Sequence, residues 1–323
     1  MRWAWVVMVV ALSGCTSQAE PEAEPSPADR STATGSPSRS SGPSPTPTPT
    51  PTPRPRVTPD DLDVSTALRA VRHLAGEIGP RPGTTPAYFR AAAWVERRFT
   101  ESGWRVERQR FPTPAGYSWN GPVEAGPSVN LIATHGTPRP GRPWLLVGAH
   151  LDTVVDAPGA EDNGSGVGVL LAVAEALQDT RSRLPVVLVA FGSEEPRGEG
   201  DAHHHYGSRA YVASLTAQQR RSLAGMVSLD RVGVGEVLPV GSPAEPNALT
   251  DELVAAARRA GVETVLDPFQ TSSDHWSFVR AGLPGARLGS TSYAAYHDRT
   301  DTPEVVQRAQ LERTARTVLA WLG

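Results

Sequence analysis

Three short apolar runs constrain this chain most: Trp144–Ala149 (WLLVGA), Val186–Phe191 (VVLVAF) and Gly225–Leu229 (GMVSL). Continuous Val- and Leu-rich runs of this length suit strands buried on both faces of a sheet. Between the first two lies Ser165–Gln178, SGVGVLLAVAEALQ, a helical pattern opened by Asp162-Asn163-Gly164-Ser165. Strand, helix, strand in that order implies a right-handed crossover and a parallel pair. Thr85–Ser102 also has helical spacing and stops at Gly103, before a strand-like stretch, Arg105–Phe111. Near the end, Thr302 is predicted to cap a helix with Pro303 at its first position. Leu311, Ala315, Val318 and Leu322 would form its buried face. Residues 57–323 show no internal repeat and no second linker. The expected fold is a single α/β domain: a mostly parallel, mixed central sheet with helices on both faces.

The first 56 residues belong to another regime. Arg2 precedes an apolar run from Trp3 to Leu12, about half the roughly 20 residues that a spanning helix needs. This reads as a secretory signal. It ends in Leu12-Ser13-Gly14-Cys15, which resembles the lipobox of bacterial lipoproteins, and Cys15 is the only cysteine of the chain. The expectation is a signal peptide over 1–14, lipid on Cys15, and a membrane-anchored protein outside the cytoplasm. Residues 15–56 are rich in Pro, Thr, Ser, Ala and Glu and end in PSPTPTPTPTPRPR. Such a stretch buries too little apolar surface to offset its ordering entropy, so a disordered, extended stalk is expected. The folded domain is then 57–323. A single cysteine excludes an internal disulfide and any thiolate metal cluster. A net charge of −3 gives no reason to expect nucleic acid as a partner.

In open α/β sheets, sites lie outside the carboxyl ends of the strands. Here the first run leads into His150-Leu151-Asp152, the second into Gly192-Ser193-Glu194-Glu195, and the third into Asp230. The loop into the crossover helix adds Asp162. Clustered carboxylates repel one another, and a divalent cation removes that conflict. Nitrogen and oxygen ligands without thiolate suit zinc, with manganese or cobalt also fitting. Several carboxylates with more than one histidine suit two metals about 3.5–4 Å apart sharing a carboxylate.

At this point the motifs are recognisable. GAHLDTVVDAPGAEDNGSGVGVLL, VAFGSEEPRG with GSRAYV downstream, VSLDRVG, SSDHWSF and AYHDRTDTPE resemble, in this order, the zinc aminopeptidases of peptidase family M28. The resemblance covers essentially all of 57–323, including IGPRPGTTPAYFRAAAWVERRF and VNLIAT. It implies a zinc-peptidase-like fold and two zinc ions. His150 and Asp230 would ligate one, Glu195 and His297 the other, and Asp162 would bridge them. It further implies Glu194 as general base, Asp152 orienting the His150 ring, and Tyr296 helping to hold the oxyanion. The substrate would be a peptide with a free amino end, which carboxylates at the site would attract. The alternatives are a metal-dependent amidohydrolase acting on blocked peptides or acyl amino acids, and a non-catalytic binding module of the same fold.

This sequence also departs from the family pattern. PRGEGDAHHHYGSRAY is longer than the short link many members carry there, and His203–His205 is expected to be a mobile polar loop at the rim. Arg231 follows Asp230 where an apolar residue is usual, and an ion pair is expected. Asp274 and His275 are read as positioning residues, not ligands, and Trp144, Trp276 and Phe278 as core.

Overall fold

The computed structural model describes residues 54–135 and 141–323, which belong to the compact unit Thr52–Gly323. The expected signal peptide, Cys15 and the stalk up to residue 53 lie outside the described residues. Residues 54–56, read as the end of the stalk, are laid along Arg181, whose amide donates to Pro55 O at 2.9 Å while Val57 N donates to Arg181 O at 3.0 Å.

The main sheet has eight strands. In chain order these are β1 (Arg105–Thr113), β4 (Gly126–Thr134), β5 (Trp144–His150), β6 (Val186–Phe191), β7 (Leu223–Leu229), β8 (Leu238–Gly241), β9 (Thr264–Asp267) and β10 (Gly285–Leu288). They lie side by side as β1-β4-β6-β5-β7-β10-β8-β9. β5 pairs in parallel with both β6 and β7, and β7 with β10. Antiparallel pairs occur at β1/β4, β4/β6 and β8/β10. The three apolar runs are therefore the centre of the sheet, and every residue of β5 and β6 is buried. A separate hairpin, β2 (Gly116–Ser118) and β3 (Gly121–Val123), projects from between β1 and β4.

Helices cover both faces, as the sequence implies. On one side pack α1 (Val64–Val71), α2 (Pro86–Glu101), α3 (Gly166–Ala176), α6 (Ala248–Arg259) and α8 (Arg308–Leu322). On the other, α4 (Tyr206–Ser214) and α7 (His275–Arg280) bury Tyr211, Val212 and Phe278 against Leu146, Val189 and Phe191. The short α5 (Ala217–Ser222) buries none of its residues. α3 is apolar all round and almost wholly buried, the pattern of a core helix. Truncating Leu170 or Leu171 to Ala there would cost about 2–5 kcal/mol. Gly168 lets α1 come close, since a Cβ there would stand 2.7 Å from Ala67 O. Among the described residues no helix is long and apolar enough to cross a membrane.

Two sequence readings are corrected. The last helix does not begin at Pro303. Thr302 and Pro303 open a single 3-10 turn, Pro303–Val305, and the chain is then extended at Val306. Gln307 N donates to Gly233 O at 2.7 Å, and α8 starts at Arg308. Its predicted buried face, Leu311, Ala315, Val318 and Leu322, is as expected. Trp144 and Phe278 are core, but Trp276 is only half-buried.

Candidate metal centre

Because β6, β5 and β7 are adjacent and parallel, their carboxyl ends open on one edge. His150 is the last residue of β5; Glu194 and Glu195 follow β6, and Asp230 follows β7. Asp162 comes from the turn Ala160–Ser165 that leads into α3. His297 arrives from the loop after β10, which is parallel to β7. All six are buried.

Asp162 is the hub. His150 Nε2 lies 3.1 Å from its Oδ1 and 3.7 Å from Asp230 Oδ1. His297 Nε2 lies 3.2 Å from its Oδ2 and 3.5 Å from Glu195 Oε2. Each oxygen of Asp162 thus faces its own histidine–carboxylate pair. Donor atoms of His150, Asp162 and Glu195 fall within 4.8 Å of one another. Glu195 Oε1 and Asp230 Oδ1 are buried without a hydrogen-bond partner. Buried unpartnered carboxylate oxygens are costly, and a divalent cation with oxygen and nitrogen ligands would satisfy them. The residues present therefore fit the expected metal.

The charges show the same need. Burial opposes charge on the His150 imidazole, but Glu194, Asp162 and Asp230 outweigh it and hold its pKa well above the ordinary value. Burial also works against the Asp162 carboxylate, yet the two imidazoles pull its pKa far down. Glu195 is pushed well up by burial and by Asp162 and Glu194. A cation bound among these carboxylates would relieve the same repulsion.

Supporting contacts hold these groups in place. Asp152 Oδ1 accepts from the Glu194 amide at 3.0 Å and Oδ2 from the Glu195 amide at 3.2 Å. Its carboxylate is 3.8 Å from His150 Nδ1, while its backbone oxygen is nearer, at 3.2 Å. Asp152 therefore aims the Glu pair as well as bordering the His150 ring. Arg81, fully buried, donates to the carbonyls of Leu74, Gly79, Leu151, Pro158 and Gly159, which ties down the loop before Asp162. Burial lowers its pKa to about 10, so it stays charged at neutral pH.

The other expected residues also have definite places. Arg231 lies with Nε 3.7 Å from Asp230 Oδ1 and its guanidinium 4.4 Å from the Tyr296 ring centre. Tyr296 stacks on His297, with centroids 3.8 Å apart. Asp274 is buried, and its carboxyl is pushed up to about 7 by burial and by Glu194. His275 Nε2 meets Gln270 O at 2.9 Å. Neither joins the cluster of donor atoms. The reading of His203–His205 as a polar rim loop is corrected. His203 is exposed and His204 lines the cavity, but His205 is buried beside Glu194.

Sequence reasoning missed Trp119, Asn120 and Asp301. The hairpin tip carries Trp119, 58% exposed, with its ring 4.6 Å from that of His297. Asn120 Nδ2 donates to His297 O at 2.8 Å. The Trp-Asn-Gly turn between β2 and β3 was the available signal. Trp119, Ser193, His205, Arg231 and His297 all hold left-handed φ, between 41 and 58°. Such conformations cost about 1–3 kcal/mol each and cluster at functional sites. A cavity of about 270 Å³ opens beside them, lined by Trp119, Glu194, Glu195, His204, Tyr296 and His297 among others.

An open α/β sheet that gathers these donors at its strand ends has the architecture of a metal-binding α/β protein. The chain belongs to peptidase family M28, whose profile matches residues 130–322. It is 31% identical over 194 residues to the uncharacterized protein YfbL of Escherichia coli, covering 56% of this chain and 54% of that one. It is 29% identical over 187 residues to aminopeptidase YwaD of Bacillus subtilis, covering 54% and 40%. The matches thus span about half the length of these relatives or less. In fold it resembles BSAP, a zinc aminopeptidase from Bacillus subtilis, with a TM-score of 0.71 and 19% identity over 80% of this chain and 94% of that one. It also resembles a glutaminyl cyclase from Porphyromonas gingivalis, with a TM-score of 0.70 and 23% identity over 81% and 98%.

Proposed function

We propose that this protein is a metallo-aminopeptidase, anchored outside the cytoplasm by lipid on Cys15, that removes N-terminal residues from peptides. The observation that carries the reading is the split of Asp162 between two histidine–carboxylate pairs, with Glu194 at the edge of the same cluster. Similarity to a protein named as an aminopeptidase supports it. His150 and Asp230 would hold one zinc, Glu195 and His297 a second, with Asp162 between them. Zinc bound there supplies Lewis acidity, polarising the scissile carbonyl and making water acidic enough to deprotonate near neutral pH.

The chain's own residues do the rest. Glu194 takes a proton from the attacking water and returns it to the leaving amine. Asp152 fixes the backbone of the Glu194–Glu195 pair, so one carboxylate serves the metal and its neighbour the proton. A tyrosine phenol is protonated at neutral pH, so the Tyr296 hydroxyl is a donor for the developing oxyanion. The substrate's ammonium is drawn to the carboxylates, and the Trp119 hairpin roofs the cavity over His297.

The test uses the full-length chain with a panel of free-amino aminoacyl anilides, their N-acetylated counterparts and an N-terminal glutaminyl peptide, each with and without chelator. Chelator-sensitive cleavage confined to the free-amino anilides is expected. Cleavage of the acetylated set would instead make it an amidohydrolase on blocked substrates. Ring closure of the glutaminyl peptide without anilide cleavage would make it a cyclase.

A further inference from the structure

His205 is 3% exposed, and its Nε2 stands 3.1 Å from Glu194 Oε1. The N–H direction is off that oxygen, so Nε2 has no aligned partner among the described residues. Catalytic hydrogen bonds in unliganded sites are often of this kind and tighten with substrate. On the other side of the ring, Nδ1 lies 3.9 Å from Asp201 Oδ1, and Asp201 in turn pairs with Arg280. The backbones are tied as well. His205 N donates to Glu194 O and Tyr206 N to Ser193 O, both at 2.9 Å. These bonds hold His205 at φ 58°, a left-handed conformation that costs a histidine energy unless its surroundings enforce it.

Asp201 and His205 both lie in PRGEGDAHHHYGSRAY, residues 196–211. Burial opposes charge on the His205 ring, but Glu194 outweighs it and the pKa is raised. The ring thus has a carboxylate on either side, Glu194 within reach of Nε2 and Asp201 as a more distant ion-pair neighbour of Nδ1.

We propose that His205 is a positioning residue for Glu194, engaging Oε1 so that the other carboxylate oxygen is the one that takes and returns the proton. This rests on Glu194 being the general base. A carboxylate that swings freely spends less time in reach of the reacting water, and misplacement by about 1 Å costs about 100-fold in rate.

The experiment compares full-length wild type, His205→Ala, His205→Gln and Glu194→Gln on whichever free-amino aminoacyl anilide the wild type cleaves fastest. His205→Ala should lower kcat about 10- to 100-fold with KM within about threefold. Zinc per chain and Tm should be unchanged. His205→Gln, which keeps an N–H at similar reach, should return kcat to within about threefold of wild type. Wild-type kcat in His205→Ala alongside a dead Glu194→Gln would overturn the positioning role alone. So would equal losses in the Ala and Gln variants, or a loss that tracks zinc content or Tm. An active Glu194→Gln would remove the base itself, and the proposal with it.

Discussion

Asp301 holds Asp162 by its backbone: Asp301 Oδ2 accepts from the Asp162 amide at 3.1 Å. Its other oxygen accepts from Glu161 N at 2.9 Å, and Tyr293 donates its hydroxyl to Oδ2. The candidate bridging carboxylate is thus aimed from behind by a residue only four places after His297. Asp301→Ala should weaken zinc binding about 10- to 100-fold, as loss of such outer partners commonly does. A chelator-competition titration reads this directly, and unchanged affinity would reduce Asp301 to a loop tie.

Glu194→Gln keeps the size of the side chain and removes its basicity. It should retain the wild-type metal content while kcat falls about 100-fold or more. Near-native turnover would mean that another group moves the proton.

Asp162→Asn should fail differently. The amide cannot offer two anionic oxygens to two metal sites, so zinc per chain should drop, and activity with it. Full metal occupancy in this variant would argue against a bridging role.

Arg81→Met tests the frame beneath the site. The thioether fills part of the space but leaves five buried or part-buried carbonyl partners without their donor. Each buried acceptor left unsatisfied costs about 1–3 kcal/mol, and some will find water. A net loss of about 3–5 kcal/mol in urea unfolding is expected. A change below about 1 kcal/mol would mean that the loop before Asp162 needs no such tie.

His275 gives a pH signature. Burial and the nearby Arg287 lower its pKa to about 3, so the folded chain keeps it neutral while the unfolded chain takes up a proton below about 6.5. Its contribution is fully present above 6.5 and is lost as pH falls, by about 1.4 kcal/mol per pH unit toward 3. His275→Gln should make that acid limb shallower by the same amount in denaturant titrations at pH 7, 6 and 5. Parallel limbs for variant and wild type would place the proton elsewhere.

The central strands were legible because β5, β6 and β7 are buried on both faces and so carry unbroken apolar runs. The residues at their ends were legible because such strands end where a site can form. The same logic placed His205 only at the rim and passed over Asp201, because both sit in a polar stretch with no periodicity. Only the tertiary fold brings that stretch onto Glu194. Asp301 was hidden for a related reason: its partners are backbone amides some 140 residues away, which no side-chain pattern encodes. Arg81 acts through backbone carbonyls in the same way. The start of α8 was misread because a Thr-Pro pair signals a helical turn but does not say whether the turn continues. Gly233 O decides that by capturing Gln307.

The five candidate ligands come from positions 150, 162, 195, 230 and 297, so no fragment of the sheet assembles the centre by itself. His297 is the last of them to leave the ribosome, and β10, which positions its loop, emerges only shortly before it. A nascent chain therefore lacks one half of the cluster however well its earlier strands have formed. The full donor set therefore exists only once the whole domain has closed.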